Sequence, residues 1–400
     1  MSGWINIVGI GEDGLDGLSA AARALVDTAE VLAGGARHLA MIPDNHAAER
    51  LVWRPRFLDS LKDLTTHRGR RVTVLASGDP MHYGVGATLA RELPEMIAAV
   101  LPAPGAFSLA AARLRWPLQE VTCLSLHGRS AETFYLHVVP GARLLILSED
   151  GHTPAQVAAL LTSRGFGASR LTVLEHMAGP RESSHDGLAR EWGDGPAADL
   201  NTIAVTCIAS PGAAVMPRVP GLPDDAFEHD GKMTKREVRA ATLAALAPFP
   251  GQLLWDVGAG CGSVGIEWMR AGGRAIGVES DADRAAMAAR NAAALGVPGL
   301  EIVIGAAPEA LSGLAAPDAV FVGGGLAAHG VFEACWDALD SGGRLVANTV
   351  TIEGERRLAD LHRAHGGDVV RIAISRLAPV GALHGWKPMM PITQWRGVKP

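Results

Sequence analysis

Cysteine, lysine and tyrosine are scarce in this 400-residue chain, which has four Cys, two Tyr, and lysine only at Lys62, Lys232, Lys235, Lys387 and Lys399. The cysteines (Cys123, Cys207, Cys261, Cys335) stand far apart and form no Cys-x-x-Cys pair or Cys/His cluster. That argues against a structural zinc site and a disulfide scaffold, and the expectation is a reduced, cytoplasmic protein with no metal. No apolar run reaches the ~18 residues of a membrane span, so no membrane partner is expected. The N-terminus enters a strand pattern at once, so no secretory signal is expected either. A formal net charge of −6 argues against a nucleic-acid partner held by a broad basic surface. With lysine scarce, arginine carries most of the positive charge. Its fork grips carboxylates bidentately and would suit a polycarboxylate ligand, although an arginine-rich composition alone is a weak guide.

What is present is alternation. Strand patterns at Ile5–Gly9, Arg71–Ala76, Val121–Ser125, Arg143–Leu147, Arg170–Leu174 and Ile203–Cys207 are interleaved with Ala/Leu-rich helical stretches. The helical stretches include Leu18–Thr28, Val85–Leu93, Ala106–Leu114 and Pro154–Ser163. This is an α/β pattern with mostly parallel strands. Proline and glycine then crowd the stretch from Ser210 to Asp230 and break both periods. The expected organisation is one domain over 1–210, a linker over 211–230 and a second domain over 231–400. The second domain begins with a helix near Lys235–Ala245 and alternates strand and helix to Arg344–Asn348. It reads as a doubly wound sheet, its last two strands, Val369–Ile374 and Pro391–Trp395, forming an edge hairpin joined through Leu377–Lys387.

Two glycine-rich turns directly follow hydrophobic strands. The one in the second domain is Asp256-Val257-Gly258-Ala259-Gly260-Cys261-Gly262, and Glu279 ends the next strand, 21 residues beyond Gly258. In a doubly wound fold the ligand sits at these strand ends, and a carboxylate there can accept bonds from both hydroxyls of an adenosine ribose. Asp256 would attract an ammonium and repel a pyrophosphate, and the third glycine comes one residue early for Gly-x-Gly-x-x-Gly. Spacing alone nevertheless leaves a dinucleotide-binding dehydrogenase open. In the first domain Gly9-Ile10-Gly11-Glu12-Asp13-Gly14 fits the dinucleotide pattern literally. Its acidic pair is unsuited to a pyrophosphate, and no carboxylate is evident near Val31–Gly35, where a second strand should end.

The second domain resembles the class I S-adenosyl-L-methionine (SAM) methyltransferases, which are Rossmann-like. Lys232–Arg239, Gly305–Leu311, Pro317–Gly325 and Asn348–Glu353 narrow the likeness to the C15-methylating, decarboxylating enzymes of cobalamin biosynthesis. That resemblance implies SAM contacts from Thr234, Asp256, Gly258, Ala259, Gly260, Cys261, Gly262, Glu279, Ala306 and Ala307, with Lys235 and Arg236 facing substrate. Ala306 departs from relatives that carry Asp. Gly323-Gly324-Gly325 stands where amine methyltransferases have an Asn/Asp-Pro-Pro-Tyr motif. In the first domain Gly78-Asp79-Pro80, Pro104–Ser108 and Ser125–Arg129 resemble the class III tetrapyrrole methyltransferases, two-lobed αβα enzymes, in the branch that acts at C5. Here the resemblance implies SAM contacts from Gly9, Gly11, Gly78, Asp79, Pro80, Phe107 and Ser108, with His127 and Arg129 facing substrate.

Together the halves resemble the fused cobalamin-pathway methyltransferases. The resemblance implies C5 and C15 methylation of precorrin-6B with decarboxylation of the ring-C acetate, giving precorrin-8. It also implies two SAM sites, a polycarboxylate tetrapyrrole substrate and self-association into a homo-oligomer. No residue pattern singles out a catalytic acid or base. The alternatives are a methyltransferase acting on RNA or protein, and a SAM-binding sensor without turnover.

Overall fold

Parallel strands need a crossover long enough to hold a helix, so interleaved aliphatic runs and Ala-rich helices build sheets with helices on their faces. The computed structural model describes residues 3–400. These form two compact units: one runs to Ala214 but omits Glu132–Leu136, and the other takes that segment together with Val215–Pro400.

The first unit holds two five-stranded sheets. In the first sheet β1 (Ile5–Ile10), β2 (Val31–Gly34), β3 (Glu49–Val52), β4 (Val72–Ser77) and β5 (Ile97–Leu101) lie in the order β3-β2-β4-β1-β5, all parallel. They alternate with α1 (Ala20–Asp27), α2 (Ala36–Leu39), α3 (Phe57–Thr65) and α4 (Val85–Glu92). Strands β3 and β5 were not among the expected strands; β3, Glu49-Arg50-Leu51-Val52, is half charged and shows no apolar pattern. Helix α5 (Ala106–Leu114) leads into β6 (Thr122–Ser125), β7 (Arg143–Leu147), α6 (Thr153–Ser163), β8 (Arg170–Glu175), β9 (Ser183–Leu188) and β10 (Asn201–Thr206). This second sheet has the order β6-β7-β10-β8-β9, and only β6–β7 is parallel. The expectation of mostly parallel strands therefore holds for the first sheet and fails for the second. There β8 and β9 are joined by a short turn, which only an antiparallel pair permits.

The second unit carries α7 (Arg236–Leu246), β11 (Leu253–Val257), α8 (Ser263–Arg270), β12 (Arg274–Glu279), α9 (Ala282–Ala294), β13 (Glu301–Ile304) and β14 (Ala319–Val322). It continues with α10 (Val331–Ala338), β15 (Arg344–Thr349), α11 (Ile352–His365), β16 (Asp368–Ile372), β17 (Ser375–Val380), β18 (Leu383–Pro388) and β19 (Ile392–Val398). Its seven-stranded sheet has the order β13-β12-β11-β14-β15-β19-β16, and strand order reverses beside β11. Side chains alternate along β11: Leu253, Trp255 and Val257 face one core, Leu254 the other. The final pair, β16 and β19, is antiparallel as expected, but β19 lies inside the sheet against β15. The Leu377–Lys387 connection is itself a hairpin, β17–β18, missed because its exposed Leu377, Leu383 and Trp386 break the usual burial pattern.

Part of the Pro/Gly-rich stretch, expected as a linker over 211–230, packs into the second unit. Leu222 and Phe227 are buried in the second unit's core. The Arg239 guanidinium, wholly buried, donates from Nε to Glu267 Oε1 at 2.7 Å and from Nη2 to the Leu222 carbonyl. Glu267 in turn accepts from the amides of Gly221 (2.6 Å) and Leu222 (2.9 Å). Backbone groups that prolines leave without partners are thus satisfied by one buried ion pair.

Candidate functional site

In the second unit the turn after β11 is shaped by glycines at φ +73° (Gly258), +57° (Gly260) and +79° (Gly262), a region closed to most side chains. A Cβ on Gly258 would lie 3.1 Å from the Gly324 amide nitrogen, so the Gly323–Gly325 run closes over the turn. A Cβ on Gly260 would meet nothing within 4 Å and would project into open space. Beside that space sits Glu279, buried, its Oε2 accepting from the Gly260 amide at 2.8 Å and its Oε1 from Asp281 at 3.0 Å. Each carboxylate oxygen keeps lone pairs in reserve, so the cradle fits a ribose diol lying against the turn. The Glu279 carbonyl also accepts from Gly305, which holds Ala306 (exposed) and Ala307 (half-buried) at the same strand ends.

Two expected roles in this turn need correction. Asp256 does not face a ligand: it is fully buried, and its Oδ2 accepts from the Gly265 amide at 2.8 Å inside the first turn of α8. Burial pushes its carboxyl up to about 7, against the opposing bond from Gly265, with the charge of Glu279 adding to the rise. It therefore anchors helix to strand and is not placed to attract an ammonium. The Cys261 side chain points into the core, where burial raises its thiol, and its carbonyl accepts from Asn291. Cys261 contributes backbone to the turn.

Around α7, Thr234 is half-buried and its carbonyl accepts from Arg239 Nη1 at 2.6 Å. Lys235 Nζ donates to the Gly231 carbonyl at 3.2 Å. Arg236 is exposed, and its amide is capped by Asp224 Oδ1 at 2.9 Å. Sequence spacing gave no hint that Asp224, twelve residues upstream, supplies this cap.

In the first unit the ends of β1 and β4 pack so closely that a Cβ on Gly9 would lie 1.9 Å from the Gly78 carbonyl oxygen. Gly78 has φ +53°, and its Cβ would lie 2.7 Å from Gly105 Cα. The Asp79 carboxylate accepts from the Met81 amide at 2.9 Å, closing the turn, and Pro80 is buried. Phe107 is buried, with its ring 5.0 Å from His82 and 6.0 Å from Tyr83, while Ser108 is exposed. Arg129 lies over the Tyr83 ring at 5.2 Å, and His127 Nδ1 lies 3.3 Å from Glu149 Oε2. The structure thus brings Gly9, Gly78–Pro80, Phe107 and Arg129 to one place, while His127 is turned toward Glu149. Tyr83, at φ +57°, links these segments and was not foreseen.

Gly11 lies beside a charge cluster that was also not foreseen. Glu12 bonds Arg37 through Oε1 and His176 Nδ1 through Oε2, the latter at 3.0 Å. Burial opposes ionisation of Glu12, but the bonds from His176 and Arg37 outweigh it and hold the carboxyl below its ordinary range. The acidic turn is therefore internally neutralised. Arg37 Nη2 reaches Ser77 Oγ and His38 Nε2, both at 2.9 Å; burial, then Arg37, push His38 down to about 4. Strand β2 ends at Gly34 and is followed by Gly35 and Ala36-Arg37-His38 at the start of α2, so basic groups stand where a dinucleotide site would have its carboxylate. On the surface nearby, Arg54 pairs with Asp63 and Arg70 with Glu49.

Comparison with known proteins agrees with this two-part layout. A family model described as Tetrapyrrole (Corrin/Porphyrin) Methylases matches residues 5–192, and one described as Precorrin methyltransferase domain matches 225–399. A Sinorhizobium protein named precorrin-6Y C(5,15)-methyltransferase [decarboxylating] is 48% identical over 401 residues, covering 100% of this chain and 97% of that relative. A Mycobacterium tuberculosis protein of the same name is 41% identical over 400 residues, covering 99% and 100%. The solved C-terminal domain of precorrin-6Y C5,15-methyltransferase from Rhodobacter capsulatus is 48% identical, covering 46% of this chain and 100% of that one, with a TM-score of 0.45. With both family models matched in order and the identity sustained from end to end, the chain belongs to the precorrin-6Y C(5,15)-methyltransferase (decarboxylating) family.

Proposed function

We propose that the chain methylates precorrin-6B at C5 and C15 and decarboxylates its ring-C acetate, leaving a methyl there and giving precorrin-8 in cobalamin biosynthesis, with SAM bound separately in each unit. The observation that carries the two-site reading is the pair of glycine cradles on unrelated sheets. One is Gly258–Gly262 with Glu279 beside it; the other is Gly78–Pro80 pressed against Gly105. In this reading C5 methylation belongs to the first unit, and C15 methylation with decarboxylation to the second.

SAM, when bound, supplies a methyl on a positively charged sulfur, already activated toward an electron-rich ring carbon. The chain's contribution is then positioning and exclusion of water. In the second unit Glu279 would hold the ribose diol, Gly258–Gly262 would admit the cofactor backbone, and Ala306 and Ala307 would flank the adenine. Thr234 would close the near side, fixed there by the Arg239 bond to its carbonyl. In the first unit the Gly78–Pro80 turn and Phe107 would shape the cofactor face, with Gly9, Gly11 and Ser108 lining it and Arg129 meeting substrate carboxylates. Decarboxylation sends the electron pair of the breaking C–C bond into the conjugated macrocycle; the CH2 left behind then takes a proton to become the ring-C methyl, and the chain's part is to hold the carboxylate out of the ring plane. Self-association belongs to the same proposal, supported by the apolar Leu377, Leu383 and Trp386 exposed on the β17–β18 hairpin.

The test is mass spectrometry of precorrin-6B incubated anaerobically with the full chain and excess SAM. Gain of two methyls with loss of one CO2 is the expected product. Unchanged substrate, or methylated RNA or protein in its place, would overturn the reading.

A further inference from the structure

Methylation at a meso carbon leaves that carbon carrying both the new methyl and its original hydrogen, so a proton must depart before conjugation returns. The first unit contains an arrangement suited to taking it. Glu12, at the tip of the turn after β1, meets His176, the residue directly after β8. The two segments approach so tightly that a Cβ on Gly179 would lie 2.7 Å from Glu12 Cβ. His176 sits at φ +45°, a left-handed backbone unusual for a residue with a side chain and typical of positions held for function. Its neighbour Met177 packs in the same buried cluster as Phe107, which ties the imidazole to the ring group beside the Gly78–Pro80 turn.

The hydrogen bonds fix the tautomer. Glu12, held ionised, can only accept, so His176 Nδ1 carries the hydrogen in the 3.0 Å contact. Arg181 Nη2 lies 3.4 Å from the same nitrogen, but a guanidinium can only donate and Nδ1 has no lone pair to spare. The shorter contact prevails. Nε2 is then the nitrogen with the free lone pair. This is the carboxylate–imidazole arrangement that orients a general base and stabilises its protonated form. Arg37 holds Glu12 from the other side, itself braced by Ser77 and His38. The remaining charged neighbours are engaged elsewhere: Glu182 with Arg113 and the Ala178 amide, Glu175 with Ser183 and the Ala198 amide.

We propose that His176, oriented by Glu12, is the base that removes the C5 proton after methyl transfer. The inference rests on the assignment of C5 methylation to the first unit. In the step, the sulfur–methyl bond breaks with its electron pair staying on sulfur, and the new C–CH3 bond forms with electrons from the macrocycle. The C5–H pair then returns to the ring as the proton moves to His176 Nε2, and from there to water. Glu12 and Arg37 are positioning residues.

The test uses the full chain. Long-range proton–nitrogen NMR of the ligand-free protein reads the tautomer directly, and the expectation is hydrogen on Nδ1 of His176. His176→Gln should lower C5 methylation by about 100-fold or more. It should abolish the acid limb of the pH–rate profile for that step and leave C15 methylation and CO2 release unchanged. Glu12→Gln should lower kcat for C5 methylation and leave the KM for SAM unchanged, because the imidazole loses the carboxylate that orients it. A wild-type chain that leaves C5 unmethylated refutes the assignment of the first unit. A wild-type chain that methylates C5, with His176→Gln matching it in rate and profile, refutes the base. Hydrogen on Nε2 in the wild-type protein also refutes it, and decides the matter even if a variant fails to fold.

Discussion

Removing the carboxylate of Glu267 should cripple the second unit, although Glu267 lies under the site and not in it. The side chain is buried and accepts from Arg239 Nε (2.7 Å), Gly221 (2.6 Å) and Leu222 (2.9 Å). Glu267→Ala leaves a wholly buried guanidinium with only the longer contact to Asp224 (3.4 Å) for counter-charge, and two amides without an acceptor. Breaking one partner of a buried ion pair costs about 3–5 kcal/mol. For a domain of this size each kcal/mol moves the melting point by about 2–4 °C, so the second unit's transition should fall by about 6–20 °C. Because Arg239 also holds the Thr234 carbonyl, SAM affinity in that unit should weaken even below the transition. The assay is calorimetry of the full chain, with Arg376→Ala as control. That arginine pairs with Asp224 and Glu237 while 44% exposed, a geometry in which solvent screening leaves little net stabilisation. A Glu267→Ala transition no lower than that of Arg376→Ala would refute the claim that this pair fastens the Pro/Gly segment.

Three further outcomes follow from the sites. Glu279→Gln should lose C15 methylation and weaken SAM binding in the second unit by about 10-fold or more, the worth of a hydrogen bond to a charged group, with C5 methylation intact. Gly78→Ala should do the reverse, because its Cβ would fall 2.7 Å from Gly105 Cα at a left-handed backbone angle that disfavours a side chain; product analysis by mass spectrometry reads both. Asp256 titrates at about 7 when folded against 3.8 as an ordinary carboxyl, so its burial costs nothing below the lower value and progressively more up to the higher one. Melting curves of Asp256→Asn should therefore match wild type near pH 4 and gain on it up to pH 7, by on the order of 4 kcal/mol, levelling beyond.

The second unit was more legible than the first, for physical reasons. Strands β11, β12 and β14 and the long helix α9 show clear hydrophobic patterns, and Gly258–Gly262 with Glu279 fall within one short stretch of chain. What escaped were partners distant in sequence. Nothing near Asp256 foretold that its carboxylate would turn inward to Gly265, or that Asp224 would cap α7 from inside an apparent linker. In the first unit Glu12 looked like a liability in a glycine turn. Its neutralising partners, Arg37 and His176, lie 25 and 164 residues away, and only the fold brings them together. Strand β3 was illegible because two of its four residues, Glu49 and Arg50, are charged, whereas the equally short β14 is wholly apolar.

The central claim is that one chain holds the same cofactor in two unrelated cradles. Equilibrium dialysis with radiolabelled SAM tests it directly. Wild type should bind two molecules per chain, and Glu279→Gln and Gly78→Ala should each retain one tight site, a different one in each case. A wild-type stoichiometry of one, or a single substitution that abolishes all binding in a folded chain, would contradict it.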